Sequence, residues 1–274
     1  MVAFHGQAQL PDTEIWLFHL KHSKDSLVLS KGINVSMREG YDNQPSFSKD
    51  QKSIYYVSVR DDKQADIYAY KLSTGKTSRI TNSRESEYSP REMEQGFLDA
   101  VVVERDSAQR LHRMQIASGL GQAFQEPDSI GYYCFLNADT MLYYKLTEPH
   151  SLQLYSFASG KSQKLGDHPI RGFCTLNRHS ALYGLKDSGQ VTFYLYDFLI
   201  RKAVVYAQYP SLNEDIYWHP KLGLMKSEGN CVLQFNAEDK TWRKRFDLSP
   251  FGIKRITRFA LDPELRYLVV VDNL

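Results

Sequence analysis

Asp66-Ile-Tyr-Ala-Tyr-Lys-Leu72, running straight into Ser73-Thr-Gly-Lys76, is the stretch on which the fold turns. Apolar and aromatic residues in partial alternation, followed by a polar turn, read as one strand of a β-hairpin. The same unit returns as Glu14-Ile-Trp-Leu-Phe-His-Leu20, Arg110-Leu-His-Arg-Met-Gln-Ile116, Leu152-Gln-Leu-Tyr-Ser-Phe157, Thr192-Phe-Tyr-Leu-Tyr-Asp-Phe198 and Cys231-Val-Leu-Gln-Phe235, making six copies. Turns follow each, and their spacing is regular: 44 residues from Gly75 to Gly119 and 41 from Gly119 to Gly160. A fixed period of this length marks a repeat architecture.

Upstream of most copies lies a second pair of strands. Pro45-Ser-Phe-Ser-Lys-Asp-Gln-Lys-Ser-Ile-Tyr-Tyr-Val57 shows strand, polar turn and strand, and residues 133–144 and 173–183 repeat it. Each period therefore holds four short strands, the content of one propeller blade, and nothing in the pattern asks for a helix. The chain ends supply the closure. Residues 258–271 read as a strand pair after which the sequence stops, and residues 14–30 read as the complementary pair with Ser26-Leu-Val-Leu-Ser30 outermost. Two half-blades at opposite ends make one whole blade, so the sequence predicts an all-β, six-bladed β-propeller over residues 13–274, closed by both termini, with a tail over residues 1–12.

The 274 residues are 42% hydrophobic, 13% aromatic and 24% charged, with 34 basic against 32 acidic side chains. The two signs are interspersed, which argues against a nucleic-acid stripe, and no apolar run reaches the length of a membrane helix. No linker-like segment divides the chain, and a monomer is expected. Three cysteines make no framework. Cys134 and Cys174 share a repeat position, so buried free thiols are expected. The opening Met1-Val-Ala-Phe-His-Gly-Gln-Ala-Gln9 has no basic region or long apolar core. It reads either as the remnant of an export signal or as a plain cytoplasmic start.

At residues 43–58, then Arg60-Asp-Asp, Asp66-Ile-Tyr68 and Arg79-Ile-Thr-Asn82, the chain resembles the TolB-like propeller repeat, with Gln51 in place of that motif's glycine. Tyr88-Ser-Pro90 and Val101-Val-Val-Glu-Arg-Asp106 keep part of the motif, and later blades keep only strands and turns. The resemblance implies a propeller found mostly in exported bacterial proteins, used for protein–protein contacts or as a module beside enzymes. A periplasmic or extracellular location follows as the expectation, with the cytoplasm as the alternative.

Local catalytic motifs are missing from the sequence. No two glycines lie four residues apart, which removes a nucleophile elbow. Gly184-Leu-Lys-Asp-Ser-Gly189 is followed by Gln190, not by the lysine a phosphate loop requires. No zinc spacing occurs, and neither a metal nor a cofactor is expected. Asn236-Ala-Glu-Asp-Lys-Thr-Trp242 is faintly like a sialidase aspartate box, but Glu238 and Lys240 break it and a turn is the better reading. A site would have to be assembled where each segment enters its innermost strand: Arg38, Glu39 and Asn43; Glu85 and Glu87; Asp128; His168 and Arg171; Glu214 and Asp215; Lys254 and Arg255. Together they make a mixed-sign ring suited to a polar partner. The stretch 29–42 reads as the longest connection between blades. His22, His179 and His219 fall at turns and read as exposed, whereas Trp218 and Trp242 read as packing residues.

Three functions remain open on the sequence. The first is a non-enzymatic exported propeller that binds a protein or peptide partner over one face or the channel mouth. The second is an enzyme, of glycoside hydrolase, lyase or lactonase type, with dispersed carboxylates and His168 in the channel. The third is an accessory domain of a larger protein.

Overall fold

Alternating apolar faces cannot be buried by a lone four-stranded sheet, and here six such sheets bury one another in a ring. The computed structural model describes residues 10–23, 26–60, 64–124, 126–210 and 214–274. Blade VI takes β1 (Thr13–Ser23) and β2 (Ser26–Asn34) from the start of the chain. Blade I holds β3 (Asp42–Phe47), β4 (Ser53–Val59), β5 (Ala65–Lys71) and β6 (Lys76–Arg79), and blade II β7 (Ser86–Glu94), β8 (Phe97–Val103), β9 (Gln109–Gln115) and β10 (Gly121–Ala123). Blade III is β11 (Ile130–Phe135), β12 (Thr140–Lys145), β13 (Ser151–Ser156) and β14 (Lys161–Asp167). Blade IV is β15 (Pro169–Asn177), β16 (Ser180–Asp187), β17 (Gln190–Asp197) and β18 (Lys202–Pro210). Blade V is β19 (Ile216–His219), β20 (Gly223–Glu228), β21 (Cys231–Asn236) and β22 (Thr241–Asp247), and β23 (Ile256–Leu261) and β24 (Tyr267–Asn273) complete blade VI. All pairs are antiparallel, and the sixth sheet runs β2-β1-β24-β23.

The closure expected from the chain ends is present. Thr13 to His19 of β1 pair with Asn273 to Tyr267 of β24, so the ring is held by a seven-residue ladder between the termini. Buried apolar residues form six clusters, and these sit between blades. Phe18 and Leu268 meet Met225 and Val232 between VI and V; Ile15 and Val269 meet Ile54 and Tyr56 between VI and I. Hydrogen bonds follow the same period. Ser46 Oγ donates to the Pro90 carbonyl at 2.7 Å and Tyr217 to the Leu261 carbonyl at 2.7 Å, each pair 44 residues apart.

Two expectations change. The stretch 29–42 is mostly strand, because β2 pairs with β1 as far as Asn34↔Trp16, leaving only residues 35–41 to cross to blade I. His219 is 1% exposed, not solvated. It ends the inner strand at the register position that Ser48 and Asp262 hold just after the inner strands of blades I and VI, and like them it caps the turn: Nδ1 accepts the Lys221 amide at 3.1 Å. Burial lowers its pKa. Cys134, Cys174 and Cys231 are free thiols, and Trp218 and Trp242 pack against the cluster between blades IV and V. Of the expected tail over residues 1–12, residues 1–9 lie outside the described residues; Asp12 carboxylate accepts the Gly40 amide at 2.7 Å.

Candidate functional site: the central channel

The innermost strands β3, β7, β11, β15, β19 and β23 surround the axis, and a cavity of about 490 Å³ lies among them. It extends from Arg171, Asp215 and Arg258 near the strand starts to Lys49, Gln51 and Pro263 in the turns that follow. Its organisation becomes clear from register. In each blade the second residue of the second strand (Ile54, Leu98, Met141, Ala181, Leu224, Leu268) pairs with an inner-strand residue: Phe47, Glu92, Phe135, Thr175, Trp218 and Leu261. Three positions before these stand Gln44, Ser89, Tyr132, Gly172, Asp215 and Arg258, one from every blade, and all six line the cavity. The chain bulges there in five blades, and Gln44 and Ser89 take positive φ of 57° and 54° ahead of Pro45 and Pro90.

The ring is internally connected. Gln44 Oε1 accepts the Ser89 amide at 2.5 Å between neighbouring blades. Arg258 Nη2 donates to the Tyr132 hydroxyl at 3.0 Å, a contact between opposite blades, with its guanidinium 5.2 Å from that ring's centre. Asp215 Oδ2 lies 3.5 Å from Arg258 Nε and 3.4 Å from Arg171 Nη2. Glu214 Oε2 is 3.6 Å from Arg171 Nε, and its other oxygen is 3.5 Å from Lys186. Gly172 leaves no room for a side chain: an added Cβ would meet the Ile216 amide nitrogen at 2.4 Å. The ring position of blade IV is thus bare, and Arg171 beside it supplies the charge.

Burial works against the Arg258 charge, but Asp215, Tyr132 and Tyr41 outweigh it and hold the guanidinium above its usual range. Arg171 shifts the same way: burial opposes its charge, Asp215 favours it, and the net shift is upward. Burial pushes Tyr41 up to about 12, with Arg258 and Arg171 pulling it down and Tyr132 and Tyr88 pushing it up. Tyr217 is likewise pushed to about 12 by burial. These tyrosines are neutral hydrogen-bonding groups at physiological pH.

Of the residues expected at the mouth, Arg171 and Asp215 line the cavity and Glu214 pairs with Arg171 beside it. The others serve elsewhere. Arg38 turns to Asp42 at 2.9 Å and to the Val59 carbonyl, and Glu39 is exposed. Asn43 is buried and its Oδ1 takes the Gln44 amide. Glu85 accepts Gln64 through its carbonyl, while Glu87 is buried beneath the crossing between blades I and II, receiving the Thr81 and Ser83 hydroxyls. Asp128 lies 4.0 Å from Lys145, and His168 is exposed with φ 52°. Lys254 and Arg255 are exposed and give their amides to the Asp272 carboxylate. Sequence reasoning missed Gln44, Ser89, Arg91, Tyr132 and Arg258. The signal was the inner-strand position fixed by pairing, which unequal turns between the first two strands hide from simple counting. Among the described residues no group of three or more His, Cys, Asp or Glu is placed to hold a metal ion.

The fold is that of the TolB-like six-bladed propellers. A putative TolB from Agrobacterium tumefaciens superposes with TM-score 0.71 at 9% identity, over 96% of this chain and 99% of that one. TolB from Acinetobacter baumannii gives TM-score 0.57 at 14% identity, over 94% and 63%. An oligogalacturonate lyase from Vibrio parahaemolyticus gives TM-score 0.56 at 13% identity, over 90% and 83%. No sequence-family profile and no curated protein matches the chain. At these identities the likeness is one of fold, and fold alone does not fix a function.

Proposed function

We propose that the protein is a non-catalytic propeller that binds a protein or peptide partner through its central channel, acting as a monomer in the periplasm or outside the cell. The observation that carries this reading is the cavity of about 490 Å³ ringed by unlike polar groups from five blades, with Arg171 beside Gly172 supplying the sixth. Such a concave surface with a few convergent polar groups on a rigid frame suits recognition. A hydrolytic pair of carboxylates would need two acids facing the same space. Asp215 is the one carboxylate on the cavity lining among the described residues, and it is engaged with two arginines. The resemblance to exported TolB-like repeats supports the location.

The test is capture from an envelope extract of the source organism, run with the wild type and with an Arg91→Glu/Arg171→Glu double variant. A partner retained by the wild type and lost by the variant supports the reading. Turnover of an oligosaccharide or lactone by the purified wild type, with no partner captured, replaces it with the enzymatic alternative.

A further inference from the structure

The cavity carries a surplus of positive charge that the whole chain does not. Among the described residues Lys49, Arg91, Arg171 and Arg258 line it against Asp215, with Glu214 beside the lining and shared between Arg171 and Lys186, whereas basic and acidic residues nearly balance over the sequence. Much of this charge is unspent. Arg171 donates no hydrogen bond to any described residue: its Nε is buried without a hydrogen-bond partner, and its ion pairs with Glu214 and Asp215 lie at 3.6 and 3.4 Å. Arg91 likewise makes no side-chain hydrogen bond or ion pair among the described residues, and Arg258 makes a single hydrogen bond, to Tyr132. A guanidinium offers five N–H donors in a planar fork, which matches a carboxylate in bidentate geometry.

We infer that Arg171 and Arg258, with Arg91 facing the same cavity, form a subsite for a carboxylate of an acidic peptide segment. This rests on the peptide-binding reading of the channel and adds the chemistry that the channel selects. Asp215 sets the two guanidinia: it lies within 3.5 Å of both and orients them toward a shared space while leaving the lining net positive. Tyr132 completes the subsite from the opposite blade, holding Arg258 through its hydroxyl. A peptide is favoured over a compact anion by the rest of the lining. Gln44, Ser46 and Ser89 line it as uncharged polar residues, leaving the Gln44 side-chain amide NH2 to meet a peptide carbonyl, and Phe173, Tyr217 and Phe259 line the same channel with aromatic rings.

Isothermal titration of the intact chain with N-acetylated, C-amidated hexaglutamate, with the matching hexaglutamine, and with an oligouronate of equal charge tests this. Hexaglutamate is expected to bind at least tenfold more tightly than hexaglutamine, with affinity falling as salt rises. Arg171→Gln should weaken hexaglutamate binding at least tenfold while unfolding as cooperatively as the wild type; its melting temperature falls by no more than the loss of the ion pairs to Glu214 and Asp215 requires. Equal affinities for the two peptides overturn the carboxylate subsite and leave peptide binding standing. Binding of neither peptide overturns both. Tighter binding of the oligouronate than of hexaglutamate, lost in Arg171→Gln, overturns the peptide as occupant. Unchanged hexaglutamate affinity in Arg171→Gln overturns the assignment of the subsite to this arginine.

Discussion

Glu87 shows how one side chain can tie the stability of the frame to pH without belonging to the site. It is 1% exposed, and burial pushes its carboxyl up to about 7 despite the Ser83 and Thr81 hydroxyls that favour the charged form. A carboxyl raised above its unfolded value binds its proton more tightly when folded. Its contribution to stability is therefore full below about pH 4.5 and is lost as the pH rises through 7. Relative to wild type, Glu87→Gln should lose that slope, and above pH 7 it should be more stable by up to roughly 3 kcal/mol. Urea unfolding of both proteins at pH 5 and pH 8 reads this directly; a wild type no less stable against the variant at pH 8 than at pH 5 would contradict it. At this scale the sequence is least legible. Charge type and proximity to a strand start pick out Arg171 and Asp215, but also Lys254 and Arg255, whose amides rather than side chains do the bonding. Which carboxylate ends up buried depends on pairing across blades, which composition does not encode.

Among the elements, the hairpins between third and fourth strands were the clearest in sequence, because their conformation demands a residue type. Gly75, Gly119 and Gly160 take φ of 64–67° at the turn before the outer strand, where a side chain is strained. In blades IV and V, Arg201 and Lys240 take the same left-handed conformation with φ of 52° and 57°. Arg201→Gly should therefore hold the turn with less strain, raising stability by about 0.5–1 kcal/mol in thermal unfolding; a loss of stability would show that the Arg201 side chain matters more than its backbone. The inner strands were harder to read, since bulges at the ring position break their alternation. Gly172 lies in such a bulge, with its amide bonded to the Glu214 carbonyl at 2.9 Å. Gly172→Ala should force blades IV and V apart, lower stability by about 1–3 kcal/mol, and weaken hexaglutamate binding by displacing Arg171. Unchanged stability would show the two backbones free to separate.

For the molecule as a whole, the decisive feature was legible at its two ends. The strand pair at the end of the sequence and the complementary pair at its start have no use apart from each other, and they meet in the β1–β24 ladder. Removing residues 258–274 takes away both inner strands of blade VI, and with them Phe259, Leu268 and Val270 of the cluster against blade V. The truncated chain should fail to unfold cooperatively and should aggregate; a monomeric, two-state truncation would refute closure. What the sequence left hidden is the consequence of closure. Six positions scattered from Gln44 to Arg258 become one ring, and local motifs do not reveal a site shared among six blades. Arginine footprinting with phenylglyoxal, with and without hexaglutamate, tests the claim that this ring is where the protein works. Protection of Arg91 and Arg171, with exposed Arg201 and Arg243 reacting as before, is the predicted result. Equal reactivity of Arg91 and Arg171 in both states would contradict it.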